Sequence, residues 1–157
     1  MSISRTIMID HFGQPLRETS PEQMALLAGN VFALTERVPE AGGDAFDFAA
    51  WYAAWRTLQG IGQQTPEPSH LKVEGADSFE AVIPWEQLAE AAVQYAIEGQ
   101  PLQKGGPIRL YVPNGSSACL NVKSVVMCRF LHEEASRGEV SYGFKSTFSP
   151  QDMRIKR

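Results

Sequence analysis

The alternation of apolar and polar positions divides the chain into short elements, most of them strands. "TIMIDHFG" alternates and ends at Gly13, which predicts a strand closed by a turn. "SPEQMALLAGN" predicts a short helix, with Ser20 as its N-cap, Pro21 as its first residue, Gln23 as the reaching partner of a capping box and Gly29-Asn30 as its stop. "VFALTERV" alternates as a strand would, and "PEAGGD" is a loop. The strongest helix candidate is "AFDFAAWYAAWRTLQGIG", predicted over residues 45–59 with Gly60 just beyond its end. Phe48, Trp51, Tyr52 and Trp55 recur there at helical spacing, the normal way a helix buries one face, so they are predicted core.

Polar, proline-broken "QQTPEPSH" predicts a flexible connection, and the chain beyond it is richer in strands. "HLKVEG" and "SFEAVIP" are strands, "WEQLAEAA" is a short helix, and "VQYAIEGQPL" is a hairpin turning at Glu98-Gly99. "PIRLYV" places Ile108, Leu110 and Val112 on one face and Arg109 and Tyr111 on the other, while "NVKSVVMCRFL" reads as a strand apolar on both faces. The tail "KSTFSPQDMRIKR" is polar and mildly basic, which predicts a terminal strand and a frayed end.

Composition narrows what such a fold could do. A length of 157 residues fits a single domain over 1–157, large enough to bury a core without disulfide or metal staples. A net charge of -4 argues against the broad basic surface that nucleic acid requires and leaves room for a local pocket that takes a small anion. No apolar run is long enough to span a membrane, and the first residues lack the apolar core of a secretory signal, so no membrane association is expected and the expected compartment is cytoplasmic. Cys119 and Cys128 match neither a redox CxxC pair nor a zinc site and are expected as free thiols, with Cys128 in the core. His11, His70 and His132 are scattered without metal-ligand spacing, so no metal site is assigned to them, and "HEE" at 132–134 reads as a solvated turn. No Ser-His-Asp order and no phosphate-binding GxxxxGK[ST] loop offers a catalytic route.

Arg109 and Lys123 remain as the candidate chemistry. A cation in a largely apolar strand needs water, a carboxylate or an anionic ligand, because an unpaired buried charge is costly. Two arrangements satisfy this. Both residues lie on a solvated face or pair with acids, or both converge on a phosphate, helped by the N–H groups of the Gly105-Gly106 and Gly115-Ser116-Ser117 loops.

Over about sixty residues the chain resembles the second half of the cofactor domain of the sulfite oxidase family of molybdopterin-dependent oxidoreductases. The resemblance is strongest over 70–130 and rests on four segments in order: "EGAD", "IPWEQLAEA", "EGQPLQKGGPIRLYVP" and "NVKSVV". It implies an α+β fold, a mixed and mostly antiparallel sheet with short helices. It also implies that Arg109 of "GGPIR" and Lys123 of "NVKS" contact the pterin or its phosphate. Lys104 stands where relatives often carry a histidine, Asn121 where they often carry Ser or His, and Asp77 of "EGAD" is a further candidate.

The family's molybdenum-ligating cysteine lies in a loop before the helix of the first half, and this chain has no cysteine before Cys119. The lysine-tryptophan pair common in relatives is Lys123-Ser124 here. Molybdopterin is therefore the expected cofactor type, with molybdenum doubtful and enzyme activity uncertain. Three readings follow: a module that binds a pterin or small anion without normal molybdenum redox catalysis, an oxidoreductase with an atypical metal ligand, for which Cys119 is the available thiol, and a scaffold that pairs with itself as a homo-oligomer or with another subunit through sheet edges and the Trp51/Trp55 face.

Overall fold

Backbone pairing organises the chain around one large sheet. The structure is a computed structural model that describes residues 5–133 and 140–144. Its strands are β1 (Ile7–His11), β2 (Arg17–Thr19), β3 (Val31–Ala33), β4 (Asp44–Asp47), β5 (His70–Gly75), β6 (Phe79–Pro84), β7 (Ala92–Ile97), β8 (Gln100–Pro101), β9 (Ile108–Tyr111), β10 (Val122–Leu131) and β11 (Ser141–Phe144). Its α-helices are α1 (Pro21–Ala28) and α2 (Phe48–Gln59). The main strand order is β11-β6-β5-β10-β9-β7-β4-β3, with β1 joined to β10 and β2, and β8 joined to β7. Every pairing is antiparallel except β1 with β10, so the α+β class and the mixed, mostly antiparallel sheet are as the sequence implies.

The helix ends follow from their capping residues. Ser20 Oγ accepts the Gln23 N–H at 3.2 Å, and Gly29 closes α1 in the left-handed region at φ 88°. The capping box is half formed, because the Gln23 side chain meets the Thr19 hydroxyl instead. Helix α2 begins at Phe48, three residues later than predicted. Asp47 is its N-cap, with Oδ2 accepting the Ala50 N–H at 2.8 Å, and residues 44–47 are a strand held between β3 and β7. Gly60 ends the helix at φ 75°.

Two other predicted elements are shorter than expected. "VFALTERV" is a strand only to Ala33 and then a 3-10 turn over Leu34–Glu36. Leu34 and Val38 are both buried and four residues apart, a helical spacing that the strand template misread. The helix predicted in "WEQLAEAA" is a 3-10 turn over Trp85–Leu88, because Ala91 and Ala92 are already committed to the sheet: the Ala91 carbonyl accepts from Phe48 N–H, and Ala92 pairs with Asp47 and Tyr111. The hairpin at Glu98-Gly99 forms, with both residues at positive φ. The strand and frayed end predicted for 145–157 lie outside the described residues.

The aromatic stripe of α2 is core. Phe48, Trp51, Tyr52 and Trp55 are at most 4% exposed and gather around Phe130 of β10, whose ring lies 4.9 Å from that of Tyr52. Register sorts the rest. Phe46, Val93 and Leu110 are adjacent across β4, β7 and β9 and face this main core. Ala45, Gln94 and Arg109 form the neighbouring row on the opposite face, where Leu34, Val38, Ala45 and Ala92 make a second small cluster with Tyr111 packed against it. No helix among the described residues is long and apolar enough to cross a membrane.

Candidate functional site

The predicted site forms where β10 breaks its ladder. Pairing with β9 shifts register between Val122 and Val125, and pairing with β5 shifts between Val125 and Met127. Ser124 sits in the irregular stretch at φ 54°. Its N–H donates to the Gly105 carbonyl at 2.8 Å, and its own carbonyl accepts the Ala76 N–H at 2.8 Å. One distorted residue therefore ties together the loop before β9, the turn between β5 and β6, and the start of β10. A β-bulge of this kind re-aims side chains. Lys123 is exposed as a result, which corrects the expectation of a strand buried on both faces.

Two glycines permit the close approach. A Cβ on Gly75 would lie 2.7 Å from Asp77 Oδ1 and 3.0 Å from the Lys123 carbonyl oxygen. Gly105, at φ 76°, lies against the stem of Arg109, where an added Cβ would come within 2.9 Å of Cδ.

Around this junction is a cavity of about 210 Å³ lined by Asp77, Phe79, Arg109, Tyr111, Asn121 and Lys123, with Leu110 and Val122 completing its wall. Four of the five candidates, Asp77, Arg109, Asn121 and Lys123, thus share one cavity. Lys104 is exposed in the loop before β9 and is not among the residues lining it. Arg109 is half-buried, and among the described residues it has no hydrogen bond or ion pair; its guanidinium lies 5.6 Å from the centre of the Tyr111 ring. Asn121 Oδ1 accepts the Val112 N–H at 2.7 Å, which leaves its amide N–H groups to donate. Asp77 Oδ1 accepts the Phe79 N–H at 3.2 Å, which leaves its other oxygen to accept.

Phe79, Tyr111 and Gln94 were not predicted as site residues. Tyr111 had a signal, since it shares the Arg109 face in the alternation of "PIRLYV". Gln94 was a lone amide in the apolar run "AVQYAI", but only the pairing of β7 with β9 sets it directly opposite Arg109.

The remaining sequence candidates have structural roles. His11 is 1% exposed, and its Nδ1–H donates to the Phe12 carbonyl at 2.8 Å, so its Nε2 accepts from the Tyr52 hydroxyl at 2.6 Å. Burial is the main cause lowering the His11 pKa, and burial pushes that of Tyr52 up to about 12, so the phenol stays a donor. Cys128 is buried, with its thiol pushed up to about 12, whereas Cys119 is exposed on the 3-10 turn Ala118–Leu120. Trp51 and Trp55 are inside the core, so the docking face expected of them is closed.

Two cations, a free amide donor and aromatic walls on a mixed sheet define an α+β domain with a cleft chemically suited to an anion. The chain belongs to the oxidoreductase molybdopterin binding domain family, whose model matches residues 52–139 and so spans the whole cleft. No curated protein and no solved structure matches the chain significantly.

The residues present fit one part of that family's cofactor and not another. The cleft offers charge-assisted donors for a phosphate and a carboxylate that accepts from N–H groups. It offers no thiolate. The segment leading to α2, residues 37–47, contains no cysteine, neither thiol lines the cavity, and no group of three or more His, Cys, Asp or Glu among the described residues could hold a metal.

Proposed function

We propose that the chain is a binding module for a pterin or a related small phosphorylated molecule and does not carry out normal molybdenum redox catalysis. The observation that carries this reading is Arg109, a half-buried guanidinium without an ionic partner among the described residues, in one cavity with Lys123. A cation so placed loses hydration without recovering it from a carboxylate, and a phosphate oxygen would supply the missing interaction. Asn121 would add a neutral donor. Family membership supports a molybdopterin-type ligand, and the missing thiolate disfavours the metal's usual chemistry.

Metal analysis together with oxidised-pterin fluorescence tests this on protein made in a host that synthesises molybdopterin. Pterin without stoichiometric molybdenum is the expected result. Stoichiometric molybdenum would overturn the non-redox reading, and absence of both pterin and bound phosphate ester would overturn the binding reading. Arg109→Ala and Lys123→Ala should each retain less pterin; unchanged retention in both removes them from the site.

A further inference from the structure

The anion cavity adjoins a second hollow of about 430 Å³ on the same face of the sheet. Arg109, Tyr111 and Asn121 belong to the walls of both. The far wall is built from the segment between β3 and β4, including Glu40, Gly42 and Gly43, and from Gln94 of β7. Gln94 is 4% exposed. Its Nε2 donates to the Gly42 carbonyl at 2.6 Å, and its Oε1 is buried without a hydrogen-bond partner.

That orientation of the amide is fixed. Turning it over would set two oxygens against each other at Gly42, so the acceptor stays unpaired while the donor is used. Nearby Gly43 leaves no slack: at φ 93°, an added Cβ would lie 2.8 Å from the Ala96 carbonyl oxygen and 2.9 Å from Gln94 Nε2. The exposed Glu40 carboxylate adds a second acceptor without an ion-pair partner among the described residues. The first cavity therefore contributes mainly donors to a ligand, and the second contributes acceptors.

We propose that Gln94 is a specificity-determining residue of the cleft, reading an uncharged N–H donor on the same molecule whose phosphate is held by Arg109 and Lys123. The inference rests on the binding function proposed above and adds to it the chemistry of the ligand's other end. The ligand class is a phosphate ester of an amino- or ring-N–H-bearing group. An unpaired buried acceptor carries its desolvation cost until a donor reaches it, so a ligand that supplies one gains selectively. Ligands with only hydroxyl or carbon at that end gain less.

Ribose 5-phosphate and guanosine 5′-monophosphate separate the two ends, since they share the phosphate and only the second carries a ring N–H and an amino group. Calorimetric titration of the full chain should show guanosine 5′-monophosphate binding about tenfold or more tightly than ribose 5-phosphate. Gln94→Met should abolish that preference and leave ribose 5-phosphate affinity unchanged. Gln94→Glu keeps an acceptor at this position and should keep the preference, which provides a readout if the Met variant fails to fold.

Equal binding of the two esters by the unaltered chain overturns the role of Gln94 while leaving the phosphate reading intact. Binding of neither ester overturns both. Equal weakening of both esters by Gln94→Met, or loss of the preference in Gln94→Glu, assigns Gln94 a purely structural role and overturns the proposal.

Discussion

Replacing Arg109 by Met separates a binding cation from a structural one, because the two roles predict different changes in stability and affinity. The substitution keeps most of the stem that lies against Gly105 and removes the guanidinium. Its cost to the fold is the contact with the Tyr111 ring, worth about 0.5–1 kcal/mol at a partly exposed site. Against this stands relief from holding a half-buried charge that no carboxylate neutralises among the described residues, so net stability should change by no more than about 1 kcal/mol in either direction. A charge-assisted hydrogen bond to phosphate contributes about 1.5–3 kcal/mol, so affinity for ribose 5-phosphate should fall roughly 10- to 150-fold. Lys123 is exposed and its replacement by Met should cost less, roughly fivefold at most. Urea unfolding and calorimetric titration of the same preparations give the two numbers. A loss of more than about 2 kcal/mol in stability with unchanged phosphate affinity would refute the assignment, because Arg109 would then be a structural residue.

Three further outcomes follow from the geometry. Gly75→Ala should destabilise by about 1–3 kcal/mol and weaken phosphate binding, since its Cβ would press on Asp77 Oδ1 and the Lys123 carbonyl; intact binding would show that the bulge does not position the cleft. Burial above all, and Arg56 to a lesser degree, hold the His11 pKa below its ordinary 6.5 against the raising effects of the Phe12 carbonyl and Asp10. The unfolded chain thus takes up a proton that folded His11 refuses. His11 stabilises fully above pH 6.5, and that contribution is lost as pH falls from there through the folded value. Urea midpoints compared at neutral and mildly acid pH should show this fall in the unaltered chain and a flatter response in His11→Gln; an equal response in both would remove His11 as the cause. In the native state a thiol reagent should titrate Cys119 and not Cys128, and modification of both without unfolding would contradict the buried placement of Cys128.

Local pattern carried far in this chain, and its limits are physical. Ser20, Pro21 and Gly29 bracket α1 because capping depends only on neighbouring residues, and the Phe48–Trp55 stripe is legible because core helices repeat their apolar positions. The three-residue error at the start of α2 comes from Asp47, whose carboxylate could serve either inside the helix or as its cap. Pairing of residues 44–47 with β7 decides for the cap, and that pairing is non-local. The cleft was legible as residue types, Arg109 and Lys123 above all. Its assembly was not, because it depends on Ser124 adopting a left-handed conformation in a sequence, "NVKSVV", that reads as a regular strand. Gln94 was hidden for the same reason, since its meaning comes from facing Arg109 across two strands 15 positions apart in sequence.

The two faces of the sheet divide fold from site. The main core, from Phe46 through Phe48, Trp51 and Trp55 to Phe130, draws on the rows that also hold Val93 and Leu110. Arg109 and Gln94 lie in the alternate row, and Lys123 and Asp77 lie on a bulge and a turn outside regular pairing. Substitutions at these site positions thus leave the buried aromatic cluster untouched, and the same holds for residues 37–43, where this chain lacks a thiol. Distant positions with no shared partners act nearly additively. Loss of a metal ligand and retention of a phosphate cleft are therefore energetically independent events in this fold, so the cations of the cleft can keep a ligand-binding role after the metal's anchor has gone.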